Sequence, residues 1–106
     1  MDTLKNIESF NNVIHERARL LILTVLASNG HNKLNFKQLQ NSLQLTAGNL
    51  SIQLKTLEKH GYIIINKQFI ANKPQTSVAI TDEGRKALEQ YLSEMEKIIQ
   101  SIKGKT

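Results

Sequence analysis

The chain has no cysteine and, in 106 residues, a single proline, Pro74. Without thiols there is no disulfide framework, no thiolate metal site and no cysteine nucleophile. Long apolar runs are missing as well. Stretches such as Leu20 to Leu23 are far too short to span a bilayer, and the opening "MDTLKNIESF" lacks a signal-peptide pattern, so a cytoplasmic protein without membrane contact is expected. His15, His31 and His60 stand apart without ligand spacing, and no carboxylate pair, glycine-rich phosphate loop or nucleophile motif occurs. The expectation is therefore no enzyme, no metal and no cofactor. His15 reads as a packing residue at the start of its helix, and His60 as a neighbour of a helix C-terminus, where a cation is favoured.

Acid is also scarce, but only locally. Between Gly30 and Ile80 six lysines (33, 37, 55, 59, 67 and 73) meet one acid, Glu58, whereas the flanks together hold eight basic and eight acidic residues. The whole net charge of +5 thus lies in the middle of the chain. A merely solvated surface would spread it evenly, so this concentration points to a polyanionic partner. The length and the 40% hydrophobic content predict one domain with a real core.

Within the basic segment, "TAGNLSIQLKTLEKH" at 46–60 repeats Leu50, Leu54 and Leu57 at helical spacing with Ala47 in line, which predicts a helix with a narrow buried stripe. Thr46 suits its N-cap and Gly61 its C-cap. The outer face carries Gly48, Asn49, Ser51, Ile52, Gln53, Lys55 and Thr56, without acid, where a purely structural helix would alternate Glu and Lys. Upstream, "VIHERARLLILTVLAS" predicts a first helix capped by Asn11 or Asn12, with Ile14, Ala18, Leu21, Ile22, Val25 and Leu26 as its apolar face and Gly30 as its end. "KLN" at 33–35 suits a very short strand, with Asn35 able to cap a second helix, "FKQLQNSL", whose Phe36, Leu39 and Leu43 point one way. Only "QL" separates it from the cap at Thr46, which is the spacing of a helix-turn-helix.

Past Gly61 the periodicity changes. "YIIINKQFI" and "TSVAIT" read as strands joined through "ANKPQ", a hairpin with a basic tip stiffened by Pro74. Thr81 then caps a last helix, Asp82 and Glu83 suit the positive end of its dipole, and Gly84 allows close approach to the hairpin. Leu88, Tyr91, Met95, Ile98 and Ile102 follow at alternating steps of three and four, a coiled-coil-like seam that suits a dimer interface. The other reading is that this helix folds back over its own domain.

Together, "IHERARLLILTVLA", "LQLTAGNLSIQLKTLEKHGYI" and "KPQTSVAITDEGRKAL" resemble the small winged-helix transcriptional regulators of the MarR and ArsR type over most of residues 13 to 92. The resemblance implies an α+β, mainly α, winged helix-turn-helix with a two-stranded wing and a long C-terminal dimerisation helix. It also implies a homodimeric DNA-binding repressor or activator, with repressor the first reading, and the two-fold symmetry of such a dimer suits a pseudo-palindromic site on double-stranded DNA. Three features depart from those families: Gln53 stands where many relatives have histidine, the cysteine-bearing motif of ArsR metal sensors is absent, and the helical flanks are shorter than in typical MarR proteins. The expected plan is an N-terminal segment 1–12 at the dimer interface, with Leu4, Ile7 and Phe10 packed there, a DNA-binding domain at 13–81, and a dimerisation helix and tail at 82–106. Thr46, Asn49, Ser51, Gln53 and Thr56 are candidates for base or phosphate contacts, Ile52 for a thymine methyl, and Gly48 for close backbone approach. Lys55, Lys59, Lys37, Lys67 and Lys73 are candidates for phosphates. A winged helix used for protein contacts is the competing reading, against which the basic, acid-poor face counts.

Overall fold

A computed structural model of the chain describes residues 10–30 and 32–104, so the parts foreseen for Leu4, Ile7 and His31 fall outside it. Among the described residues the order is α1 (Arg17–Ser28), β1 (Leu34–Asn35), α2 (Phe36–Leu43), α3 (Ala47–Lys59), β2 (Ile63–Ile70), β3 (Lys73–Ile80) and α4 (Asp82–Lys103). The strands form one antiparallel sheet in the order β1-β3-β2, with Leu34 opposite Val78 and Ile63 opposite Ile80. This is the expected α+β, mainly helical winged helix with a long last helix; β1 adds a short third strand to the two-stranded wing.

The first helix begins later than its apolar pattern suggests. Asn11 does cap a turn, its Oδ1 accepting from Val13 N at 3.0 Å and Ile14 N at 3.2 Å. The helix proper starts only at Arg17, with the Glu16 carboxylate accepting from Ala18 N and Arg19 N. A continuous helix would give the Val13 carbonyl to the Arg17 amide; instead Arg19 Nε donates to it at 2.6 Å. The buried face also differs. Ile14, Ala18, Ile22, Leu23 and Leu26 are buried, while Leu21 is exposed. The apolar run from Leu20 to Leu23 cannot phase a helix by itself, and packing into the core cluster takes Leu23 rather than Leu21.

Local chemistry ends the other helices as foreseen. Asn35 and Gln38 form a capping box on α2, and Thr46 Oγ1 accepts from Asn49 N at 3.1 Å to start α3. Ala47, the first residue past that cap, is exposed and takes no part in the stripe. Helix α3 closes with a Schellman motif in which Tyr62 N donates to Leu57 O at 3.0 Å and Gly61 N to Glu58 O at 2.9 Å, with Gly61 at φ +78°. His60 is the C-cap itself, its Nδ1 2.9 Å from Thr56 O. The hairpin turn is tighter than expected: only Ala71 and Asn72, both at positive φ, connect the strands. Pro74 is therefore not in the tip but in β3 opposite Phe69, beyond the reach of β1, where a missing N–H costs no ladder bond.

Helix α4 is stitched to the end of α3. Thr81 Oγ1 donates to Gly61 O at 2.6 Å and accepts from Gly84 N at 2.9 Å, and Thr81 N donates to Tyr62 O at 3.0 Å. A Cβ on Gly84 would strike the Tyr62 carbonyl, backbone against backbone. Gly84→Ala is expected to lower stability by about 1–3 kcal/mol, as overpacking does, and a thermal melt checks it; an unchanged Tm would mean that α4 can shift away from Tyr62 freely. Farther along, Leu88 and Tyr91 are buried, and Tyr91 packs its ring against Phe10 and His15. Burial raises the Tyr91 phenol above its usual pKa, and the hydroxyl lies 2.7 Å from His15 Nδ1. Both side chains are thus committed to the chain's own core. The apolar surface left on α4 is Met95 and Ile98, half-buried, with Leu92, Ile99 and Ile102 exposed.

Candidate nucleic-acid interface

Leu50, Leu54 and Leu57 anchor α3 in the core, so its opposite face is turned outward by the 3.6-residue period. Gly48, Asn49, Ile52, Lys55 and Lys59 are exposed, Ile52 to 64%, while Ser51, Gln53 and Thr56 are half-buried. Open space surrounds Gly48, so a second molecule can approach the backbone there. Thr56 spends its hydroxyl on its own helix, donating to Ile52 O at 3.2 Å, and Thr46 uses its side chain as the N-cap.

Between α3 and the wing runs a trough of about 520 Å³, lined by Phe36, Ser51, Lys55, Glu58, Lys67 and Thr76 among others. It adjoins a second hollow of about 300 Å³ bounded by Asn35, Lys37, Pro74 and Gln75, with Phe36 and Thr76 common to both. The fold thus gathers Lys37, Ser51, Lys55 and Lys67, which span 31 positions of sequence, into one concave surface. Among the described residues none of Lys37, Lys55, Lys59, Lys67 and Lys73 forms an ion pair, so their charge is free for an outside anion.

Two lysines lie apart. Lys59 sits on the last turn of α3. Strand alternation puts Lys67 and Phe69 on one face with their partners Thr76 and Pro74, and Lys73 with Ile70 on the other, so Lys73 borders the hairpin turn but faces away from the trough. Two residues beside α3 and the wing go beyond the sequence reading. Phe69, 79% exposed, reads in the sequence as a strand former, and counting by twos from the buried Ile63 sets it beside Lys67. Arg19 reaches α3 from α1, donating from Nη1 to Gln53 Oε1 at 2.7 Å. No local signal foretells that contact, since 34 positions separate the two.

The family model described as a winged helix DNA-binding domain matches residues 18–99. An uncharacterised protein of Methanocaldococcus jannaschii is 34% identical over 93 residues, which are 88% of this chain and 95% of that protein. The transcriptional regulator homologue of Pyrococcus horikoshii superimposes with a TM-score of 0.84 at 33% identity, covering 96% of this chain and 98% of the other. Staphylococcus aureus MepR, a transcription regulator of a multidrug efflux pump, shares the fold at a TM-score of 0.72 and 19% identity over 99% of this chain and 73% of its own. The resemblance to MarR-type winged-helix regulators drawn from the sequence is borne out.

Proposed function

Because this chain belongs to the winged-helix DNA-binding domain family, we propose that it is a cytoplasmic, homodimeric repressor that binds duplex DNA at a pseudo-palindromic site. The observation that carries the reading is the trough of unpaired lysines beside an outward, acid-poor α3. In this reading α3 enters the major groove, with Asn49, Ser51, Gln53 and Ile52 toward base edges, while Lys37, Lys55 and Lys67 meet phosphates on either side. Lys59 and Lys73 mark the outer limits of the footprint. The exposed stripe on α4 supports a two-fold mate, which would present two recognition helices about one helical turn apart. A bound dimer represses in the simplest way, by occupying the DNA that polymerase needs.

Titration of the protein with a site selected from random duplexes and with a random duplex, over a range of salt, tests this reading. Five lysines per protomer set an upper limit of about −9 on the slope of log K against log salt for a dimer, at roughly 0.9 per phosphate contact. A steep slope on both duplexes and tighter binding to the selected one are expected. A slope near zero would assign the winged helix to protein contacts instead.

A further inference from the structure

Resting on the DNA-binding reading, we propose that Arg19 is a positioning residue for sequence readout: it orients the Gln53 and Asn49 amides so that α3 offers a hydrogen-bond donor, and selects a keto base over an amino base at one position of each half-site. The direction of the chain follows from what each group can do. A guanidinium only donates, so the atom that Gln53 turns toward Arg19 Nη1, at 2.7 Å, is Oε1. The Gln53 Nε2 group then points the other way and donates to Asn49 Oδ1, one turn back, at 3.1 Å. Asn49 is exposed, and among the described residues neither proton of its Nδ2 has a partner.

Arg19 is itself held. Its Nε donates to the Val13 carbonyl at 2.6 Å, and Glu16 Oε2 lies 3.8 Å from Nη1. The late start of α1 is what frees the Val13 carbonyl for this role, so the irregular entry to the first helix serves the recognition helix. An unsupported asparagine in the major groove pairs with adenine by accepting from N6 and donating to N7. Here Gln53 Nε2 takes one of the two lone pairs of Asn49 Oδ1 and fixes the carboxamide with that oxygen toward Gln53, so the group cannot turn freely to the adenine geometry. The donor half meets two acceptors on guanine, O6 and N7, or the O4 of thymine; on adenine it meets N7 alone beside the opposing N6 amino group, and on cytosine only the N4 amino group.

Selection from random duplex libraries, followed by titration with single-base variants of the chosen site, reads the effect. The wild type should favour a keto base by about tenfold at one position per half-site, the discrimination of a good base contact. Arg19→Met should reduce that to about twofold or less, with affinity for random duplex and the salt slope unchanged, because Gln53 can then turn over. Arg19→Lys restores a donor-only head and should recover part of the preference. Gln53→Glu is the sharper test, and it leaves the tie from Arg19 to Val13 in place should Arg19→Met fold poorly. The introduced carboxylate only accepts, so Asn49 must turn its Nδ2 inward and its Oδ1 outward, and the preference should invert to an amino base. A wild type that selects adenine there, or a preference that survives both Arg19→Met and Gln53→Glu, would overturn the proposal. Either result with steep salt dependence intact leaves the DNA-binding reading standing; loss of salt-dependent binding in the wild type removes both.

Discussion

Lys55→Glu combined with Lys67→Glu is expected to cut affinity for every duplex, selected or random, on the order of a thousandfold at 0.1 M salt. Both side chains line the trough between α3 and the wing, on opposite walls, and neither has an ion pair among the described residues. In a dimer the change removes four phosphate contacts, each worth about eightfold at that salt through counterion release, or a few thousandfold together, so the salt slope should become shallower by about 3.6. The introduced carboxylates also join Glu58 on the same walls and repel the phosphates the lysines attracted. Stability should move by no more than about 0.5 kcal/mol, because neither lysine is buried or bridged. Fluorescence anisotropy across a salt series, with a thermal melt as control, gives both readings, and an unchanged slope would place the trough away from DNA.

Where the chemistry is local, the sequence was a sufficient guide. Thr46, Asn35, Gly61 and Thr81 terminate their helices as their side chains or backbone freedom require, and the leucine stripe of α3 fixes which face is outward. The charge count likewise marked the middle segment, because six lysines with one acid cannot be neutralised within it, and three of them, Lys37, Lys55 and Lys67, line the trough and its neighbouring hollow. Errors arose where a choice depends on partners far along the chain. Leu21 and Leu23 are chemically alike, and only the packing of the elements around α1 decides between them. Asn11 and Glu16 can each cap a helix, and the guanidinium of Arg19 on Val13 O decides where α1 begins. Pro74 looks like a turn residue until Ala71 and Asn72, both at positive φ, close the hairpin ahead of it. The bridge from Arg19 through Gln53 to Asn49 belongs to the same class, being visible only once α1 and α3 cross.

The long helix carries the last expectation, that Leu92→Asp with Ile99→Asp yields a monomer. Helix α4 has 22 residues, about 33 Å of length at 1.5 Å each, in an elongated molecule of 58 × 24 × 24 Å. Its first half is consumed by the chain's own domain, where Leu88 and Tyr91 are 4% and 3% exposed and Arg85 donates to the Gly30 carbonyl at 2.9 Å. Beyond that point Leu92, Met95, Ile99 and Ile102 step by three, four and three, and Leu92, Ile99 and Ile102 are 46%, 42% and 67% exposed. Covering such side chains fully is worth about 1.5–3 kcal/mol each, so a two-fold mate that adds the same stripe has enough apolar surface to offset much of the cost of association. Two aspartates per protomer reverse that balance, since an ionised carboxylate in a closing apolar seam loses several kcal/mol of hydration. The helix should survive, because both positions face outward and the core contacts of Leu88 and Tyr91 remain. Specific DNA affinity should fall by roughly 10²–10⁴, the gain that linking two half-site contacts confers, while each monomer keeps weak, salt-dependent binding. Sedimentation with circular dichroism and DNA titration decides it: a dimer that withstands both aspartates, or a wild type that is monomeric at micromolar concentration, would show that this stripe does not hold the assembly together.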